Sequence, residues 1–267
     1  MTALKDFVGG GGGIEMQTIF EEDFAALGNQ DLKTGGDGTK SVNGTTWNVI
    51  NQANASNLEI VNGQGLRIRA IAGTQSSGGA NSYPRFFGTY NNLIASNYQS
   101  SPEASAQLFE DLRWWVALPT VNVTGINYEQ LAFYIGVEPA DSNTYQDCVV
   151  VGQATNAFMR HSAAGNFDHY CNTTLYHNLS DFDCLCVRVQ GVTAYGYLGS
   201  LVGGNFPDFS AMTPLGAMPR STGIGSSTNV LNLSASIVAF GLSCGPNGGG
   251  TPEFYVPRVK IEAPVRP

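Results

Sequence analysis

Six residues of the types that bind zinc fall within a short part of the chain, residues 161–186. Two pairs among them, His169-x-Cys171 and Cys184-x-Cys186, have the spacing that places both members on one face of a strand. Two such pairs facing each other would form a four-ligand zinc site. The alternative, which we favour, is that Cys184 and Cys186 are reduced, buried, inward-facing strand positions, with no metal and no other cofactor. The full set is His161, His169, Cys171, His177, Cys184 and Cys186.

Acidic residues are the next candidates, because retaining glycoside hydrolases hold two carboxylates about 5–5.5 Å apart. Two carboxylates on one strand point into the same cleft only when they alternate along it. Glu21-Glu22-Asp23 and Glu110-Asp111 put neighbours on opposite faces, and Asp181-Phe182-Asp183 lies in a polar turn. The 3 histidines accompany no Gly-x-Ser-x-Gly motif. We therefore expect a protein that is not an enzyme.

Aromatic side chains bind sugars when their flat faces are exposed beside polar groups. Trp114 and Trp115 are adjacent on a predicted strand, so one should face inward and the other outward. Tyr195 and Tyr197 share a face. The candidates for glycan binding are Tyr83, Tyr90, Trp115, Tyr195 and Tyr197. The alternative, which we favour, places these rings in the core or in a subunit interface.

Short strands separated by Asn- and Gly-rich turns are predicted to position these residues. Residues 65–72 alternate most clearly, with Leu66, Ile68 and Ala70 on one face and the arginines on the other. No helical stripe and no fixed-period repeat is present. The sequence predicts an all-β, two-sheet antiparallel jelly-roll sandwich formed by residues 16–267 as one domain. The predicted strands are residues 17–24, 45–50, 57–61, 65–72, 85–90, 104–118, 129–137, 147–152, 157–161, 185–189, 194–198, 234–243 and 253–262.

Residues 1–15 are predicted to form an extended N-terminal arm and a glycine-rich joint. Three apolar residues, Leu4, Phe7 and Val8, precede five consecutive glycines. Because glycine loses more backbone entropy on ordering than any other residue, the run predicts a flexible joint. We expect a partner subunit to hold the arm; the alternative is an arm folded back on its own domain. The assembly residues are Leu4, Phe7, Val8, Gly9, Gly10, Gly11, Gly12, Gly13 and Ile14.

The composition excludes several classes of partner. Charged residues make up 13% of the chain, about half the usual share, and the formal net charge is −8. The scattered lysines and arginines form no basic stripe, which excludes nucleic-acid binding through phosphates. No apolar stretch is long enough to span a bilayer, and the first residues lack the pattern of a secretory signal. We expect synthesis and folding in a cytosol, without membrane insertion.

Five segments carry a resemblance to a known fold. Residues 19–27 (IFEEDFAAL), 45–50 (TTWNVI) and 61–70 (VNGQGLRIRA) resemble the first strands of concanavalin A-like jelly-roll domains. Residues 237–245 (IVAFGLSCG) and 253–264 (EFYVPRVKIEAP) resemble the paired final strands of that fold. The fold hosts lectins, glycan-binding modules, glycosidases and virion proteins, so the resemblance implies a fold class more than a chemistry.

The arm, the charge-poor sandwich and the missing catalytic arrangement together resemble structural proteins of tailed bacteriophages. That resemblance implies a non-enzymatic capsid decoration (cement), head-fibre or tail adhesion subunit, in a virion assembled in the host cytoplasm. Such a protein docks through its arm on copies of itself, commonly as a homotrimer, and on other virion proteins. The alternative is a carbohydrate-binding adhesin that recognises a cell-surface glycan; a glycoside hydrolase is less favoured.

Overall fold

The computed structural model describes most of the chain in thirteen ranges. They are residues 15–50, 52–71, 84–94, 111–117, 120–122, 131–137, 146–153, 157–163, 166–170, 182–190, 193–219, 238–244 and 253–265. Residues 1–14 of the predicted arm, Tyr83, Cys171 and His177 lie outside the described residues.

Nearly every described element is a strand, which confirms the all-β prediction. One short helix, α1 (Tyr90–Leu93), and 3-10 turns at Phe24–Ala26, Gln52–Asn54 and Phe209–Ala211 complete the described elements. The strands are β1 (Met16–Asp23), β2 (Gln30–Asp31), β3 (Gly38–Val42), β4 (Thr45–Ile50), β5 (Ala55–Val61), β6 (Gly65–Ala70), β7 (Arg85–Thr89), β8 (Leu112–Ala117), β9 (Thr120–Asn122), β10 (Leu131–Val137), β11 (Gln146–Gln153), β12 (Ala157–Ala163), β13 (Asn166–Tyr170), β14 (Cys184–Gln190), β15 (Thr193–Gly199), β16 (Thr213–Pro219), β17 (Val238–Cys244), β18 (Glu253–Val256) and β19 (Arg258–Pro264).

The strands form three antiparallel sheets in a sandwich-like arrangement. A six-stranded sheet has the order β1-β19-β8-β14-β15-β16, and an eight-stranded sheet has the order β13-β12-β11-β10-β17-β7-β4-β3. A smaller, five-stranded sheet has the order β2-β5-β6-β18-β9. The predicted sandwich is therefore present, and the five-stranded sheet is an addition to the two sheets expected.

The core lies between the sheets and is filled by alternating apolar residues of their strands. Trp114 of the six-stranded sheet packs against Phe240 of the eight-stranded sheet, with ring centroids 5.6 Å apart. Trp47 stacks on Phe86 at 4.6 Å, and both rings are fully buried. Phe254 brings the five-stranded sheet into the same cluster. Buried rings of this size contribute most of the apolar area that drives folding.

Two glycine positions show how local sequence fixes this arrangement. Asn43 and Gly44 connect β3 to β4 with φ values of 50° and 78°, the left-handed backbone of a two-residue hairpin turn. Gly65 begins β6 with φ at 108°, and a Cβ there would lie 2.3 Å from the carbonyl oxygen of Val256. The close approach of β6 and β18 therefore requires glycine at this position.

The final strands pair differently from the expectation. β17 pairs with β7 and β10, whereas β18 pairs with β6 and β9, and β19 pairs with β1 and β8. The expected single strand over residues 253–262 is two strands in two sheets, separated at Pro257. Proline lacks the N–H that a strand ladder needs, so the chain changes sheets there.

The root of the predicted arm lies at one end of the six-stranded sheet. The backbone N–H of Val265 donates to the carbonyl oxygen of Glu15 at 2.6 Å, just before β1 begins. β1 then runs antiparallel to β19 as far as Asp23, opposite Arg258, at the other end of the sheet. There the N–H of Ala25 donates to the carbonyl oxygen of Pro257, where the chain enters the five-stranded sheet. The arm root and the five-stranded sheet are thus joined to opposite ends of β1.

Candidate functional site

The outer face of the six-stranded sheet, turned away from the core, carries two rows of polar and aromatic residues. Each row is set by cross-strand register. One row contains Glu262, Arg113, Arg188 and Tyr195. The next contains Lys260, Trp115, Cys186 and Tyr197. Three of the five predicted aromatic candidates are therefore brought together on one face.

Residues 200–212, here called the covering loop, fold over part of this face. The rings of Phe206 and Phe209 lie 5.6 Å and 5.7 Å from the ring of Trp115. The carboxylate of Asp183 accepts a hydrogen bond from the backbone N–H of Leu201, which fixes the start of the loop. Arg258 donates to the side chain of Asn205 at 3.0 Å and fixes its middle. The loop is therefore held against the outer face of the six-stranded sheet.

The covering loop removes Trp115 from the candidates for glycan binding. Trp114 and Trp115 do lie on opposite faces, as expected, but Trp115 is only 1% exposed. Its indole N–H donates to the carboxylate of Glu262 at 2.8 Å, and the Lys260 ammonium lies 4.7 Å from the ring centroid. A ring closed in on both sides presents no flat face to a sugar.

Tyr195 and Tyr197 remain partly exposed, side by side on β15. Their ring centroids are 6.4 Å apart, and Tyr197 also meets Phe209 edge-on at 4.7 Å. Burial raises the pKa of Tyr197, although a hydrogen bond with Arg188 opposes the shift. Tyr197 is therefore the ring of the pair that contacts the covering loop. Tyr90 lies in α1, and its side chain is outside the described residues.

Cys184 and Cys186 are buried and free, but on the outer face of the six-stranded sheet. They pack with Trp115 and with Met212 of the covering loop. The expectation that both cysteines face inward, toward the core between the sheets, is therefore wrong. Burial raises the pKa of Cys184 to about 12 and that of Cys186 well above its ordinary value. Neutral thiols in this setting behave as small apolar groups. Within the described ranges, no three His, Cys, Asp or Glu side chains are grouped to hold a metal ion.

Asp111 is the electrostatic centre of the same face. Its two carboxylate oxygens accept hydrogen bonds from Arg188 at 2.7 and 2.8 Å and from Arg113 at 2.9 and 3.2 Å. The Asp111 side chain is 5% exposed, and those of Arg113 and Arg188 are 12% and 17% exposed. Both guanidinium groups also lie over the ring of Phe209, at 4.0 and 5.2 Å. The three charges therefore bind β8, β14 and the covering loop together.

A second polar face lies on the five-stranded sheet and was not identified from the sequence. Arg67 donates to Glu59 at 2.9 Å and to Glu253 at 2.9 Å, and its guanidinium lies 5.7 Å from the ring of Tyr255. Residue alternation correctly put Arg67 and Arg69 on the outer face of β6. Their partners come from β5 and β18, the latter distant in sequence, so only strand pairing brings the group together.

An open groove of about 510 Å³, here called the polar groove, borders this second face. One wall is the turn after β2, and the other is the beginning of β5 with the 3-10 turn before it. Asp31 of β2 pairs with Glu59 of β5, which places the two walls side by side. The lining is Asp31, Lys33, Thr34, Gly35, Gly36, Gln52, Ser56, Asn57, Leu58 and Glu59.

The acidic run on β1 separates onto two faces, as its spacing predicted. Glu22 is 4% exposed, and its carboxylate accepts a hydrogen bond from the Asn43 amide at 3.1 Å. Glu21 and Asp23 lie on the other face and both approach Arg258, at 3.8 and 2.8 Å. Burial raises the pKa of Glu22, and the Asn43 hydrogen bond only partly offsets this. The carboxylates of this run therefore have structural partners.

Replacing Glu22 with glutamine is expected to raise the free energy of unfolding at neutral pH. Because the folded-state pKa lies above the ordinary value, folding favours the protonated carboxyl, and that contribution is lost as pH rises through the folded pKa. The amide removes the cost of burying a charge yet still accepts from Asn43. Urea unfolding at about pH 4 and about pH 7 should show a gain mainly at the higher pH. Glu21→Gln is the control and should keep the parent's pH dependence; a less stable Glu22→Gln protein at pH 7 contradicts the assignment.

No helix among the described residues is both long and apolar enough to cross a membrane.

Comparison with known proteins gives structural likeness without sequence relatives. No protein-family model matches the chain, and no curated protein matches it in sequence. Among solved structures, the exoplasmic/lumenal domain of VIP36 in its metal-free form is 13% identical, with a TM-score of 0.45, covering 92% of this chain and 95% of that one. The CBM2 module of the evolved Dit of Lactobacillus casei BL23 phage J-1 is 10% identical, with a TM-score of 0.42, covering 94% and 98%.

A third similar structure is a larger protein. The GH43B protein of the Bacteroides ovatus xyloglucan PUL is 12% identical, with a TM-score of 0.45. The match covers 92% of this chain but only 39% of that one. At these identities and TM-scores, the likenesses transfer no activity and no ligand to this chain.

Proposed function

We propose that the chain is a non-enzymatic structural subunit of a virion, assembled in the host cytoplasm, that docks through its N-terminal arm and presents its β-sandwich outward. The observation that carries the proposal is the position of the arm root. Glu15 is fixed by Val265 at one end of the six-stranded sheet, whereas the five-stranded sheet is joined to the other end of β1. When the arm docks, the end of the sandwich that carries the arm root lies nearest the docking surface. The opposite end, with the five-stranded sheet, then faces away from it.

The exposed surface supports assigning the apolar contact to the arm. Among the residues whose side chains the structure describes, which leave out those of β10 to β13, the exposed large apolar ones are Val202 and Val265, at 68% and 37% exposure. Two separate valines form no patch of the kind that holds subunits together. Leu4, Phe7 and Val8 supply such a contact in the arm sequence. A charge-poor sandwich also weakens repulsion between closely packed copies.

Serine at Leu4, Phe7 and Val8 tests this role of the arm. We expect the parent chain to associate with copies of itself. We expect the triple variant to be a monomer with an unchanged unfolding transition. Light scattering measures the mass, and far-UV circular dichroism checks the fold. The matched control replaces Lys5 and Asp6 with serine, which keeps the apolar residues and should keep the assembly. Equal masses for the parent and the triple variant would remove the arm from the assembly.

Carbohydrate binding is the second candidate function, and Tyr195 is the observation that favours it. The ring is partly exposed, and Arg188 lies opposite it in the register of the neighbouring strand. An aromatic face beside planar polar groups is the usual sugar-binding arrangement. In this second candidate function, the outward surface of the sandwich binds a glycan on the host cell.

Replacing Tyr195 with alanine tests the second candidate. If Tyr195 is the platform, affinity for a bound glycan should fall about fivefold, because one stacked ring contributes on the order of 1 kcal/mol. An array of host cell-surface glycans identifies the ligand, and titration calorimetry measures the affinity. Tyr195→Phe is the control and should retain most of the affinity, since the ring remains. Binding that is unchanged in Tyr195→Ala assigns the ligand to another surface.

A further inference from the structure

The polar groove has one preformed wall. The carboxylate of Asp31 accepts hydrogen bonds from the backbone N–H groups of Lys33 and Thr34, at 2.7 and 3.2 Å, and from the Thr34 hydroxyl. The Lys40 ammonium donates to the Thr34 carbonyl oxygen at 2.8 Å and holds the turn from below. The turn is therefore tied at several points before any ligand arrives, which lowers the entropy cost of binding.

The opposite wall presents polar groups. Leu58 also borders the groove, but it is 1% exposed and belongs to the core. The Asn57 amide N–H donates to Glu59 at 3.2 Å, and the Ser56 hydroxyl donates to the Arg69 carbonyl oxygen at 3.3 Å. These bonds orient the amide oxygen of Asn57 and the hydroxyl oxygen of Ser56 as acceptors, since each still has lone pairs.

Two donors complete the lining. Among the described residues, neither the Lys33 ammonium nor the Gln52 side-chain amide makes a hydrogen bond, while the Gln52 backbone N–H is held by Asp37 at 2.9 Å. Donors and acceptors thus line the same opening. A sugar hydroxyl both donates and accepts, so a mixed lining of this kind suits a hydroxyl-rich ligand.

The charge of the lining selects against acidic ligands. The lining carries two carboxylates, Asp31 and Glu59, and one ammonium, Lys33. The Thr34 hydrogen bond and two backbone N–H groups lower the pKa of Asp31, so this carboxylate stays ionised at neutral pH. Glu59 is paired with Arg67 at 2.9 Å. An acidic sugar would meet the Asp31 carboxylate beside the Lys33 ammonium, and the lining would give it no net attraction.

We propose that the polar groove between the turn after β2 and the start of β5 binds a short, neutral oligosaccharide. Its volume of about 510 Å³ falls within the range of small-ligand sites. The inference shares only its ligand class with the carbohydrate-binding candidate above: it assigns the ligand to the five-stranded sheet instead of to Tyr195. The five-stranded sheet is joined to the end of β1 opposite the arm root. A subunit that docks through its arm therefore leaves the groove accessible.

Two groove variants and one distant variant test the assignment. Ser56 is exposed and lines the groove, so Ser56→Trp fills the opening without changing the core. Gln52→Ala removes one donor and leaves its backbone in place. The probes are immobilised neutral oligosaccharides of gluco, galacto and manno configuration, beside uronic-acid and sialylated oligosaccharides. Unfolding midpoints confirm that the variants fold.

The expected result is binding of a neutral probe that Ser56→Trp weakens at least about tenfold and Gln52→Ala weakens about threefold to tenfold. Tyr195→Ala should bind like the parent. The assignment is overturned if the groove variants bind normally, if only anionic probes bind, or if no probe binds. If Tyr195→Ala is the one variant that loses binding, carbohydrate binding is retained as a function and the groove is excluded as its site. None of these outcomes changes the mass of the assembled protein, so the structural role is tested separately.

Discussion

Asp111→Ala is expected to lower the free energy of unfolding by about 3–5 kcal/mol, the largest stability effect of any single substitution considered. The change leaves the guanidinium groups of Arg113 and Arg188, only 12% and 17% exposed, facing each other without their shared carboxylate. Like charges on paired strands repel, and each arginine loses two hydrogen bonds. Urea unfolding of the purified variant measures the loss.

Two further variants show whether the loss comes from uncompensated charge. In Asp111→Ala combined with Arg113→Met and Arg188→Met, none of the three charges of this cluster remains, so much of the stability should return. Glu21→Ala, which removes a side chain 44% exposed and 3.8 Å from Arg258, should cost less than about 1 kcal/mol. A loss below about 1 kcal/mol in Asp111→Ala, or no recovery in the triple variant, contradicts a structural role for the cluster.

The same cluster explains why the covering loop was not foreseen. Residues 200–212 contain glycines, asparagine and proline without strand alternation, so the sequence predicted only turns there. Phe206 and Phe209 have no periodic neighbours that mark them as packing positions. Their packing depends on Trp115, Tyr197 and Arg113, which come from two other strands. The alternation of Trp114 and Trp115 was predictable, but the cover over Trp115 was not.

Strands were predicted well where local pattern decides the structure. β4 has the expected bounds, and β6 alternates Leu66, Ile68 and Ala70 toward the core as expected. β3 and β16 were missed because their glycine, lysine and proline content is unfavourable for strands, so that pairing with β4 and β15 decides their structure.

The polar groove could not have been found from spacing. Asp31 and Glu59 lie in separate segments, and neither belongs to a motif with catalytic or metal-binding spacing. The register between β2 and β5 makes them neighbours. Register depends on which faces are buried across the whole sheet, here on Leu58 and Ile60.

Removal of residues 1–13 is expected to abolish self-association while leaving the sandwich folded. The deletion ends before Glu15, so the hydrogen bond to Val265 and all of β1 remain. The lost residues include the apolar side chains Leu4, Phe7 and Val8. An assembly that depends on burying those three side chains loses that contact when they are removed.

The most direct test is the solution mass of the full chain and of the chain lacking residues 1–13, measured by light scattering over a range of concentrations. Our account predicts a multiple of the single-chain mass for the full chain, and a monomer with an unchanged unfolding midpoint for the truncated one. A full-length chain that is a stable monomer, or a truncated chain that assembles equally well, would contradict docking through the arm.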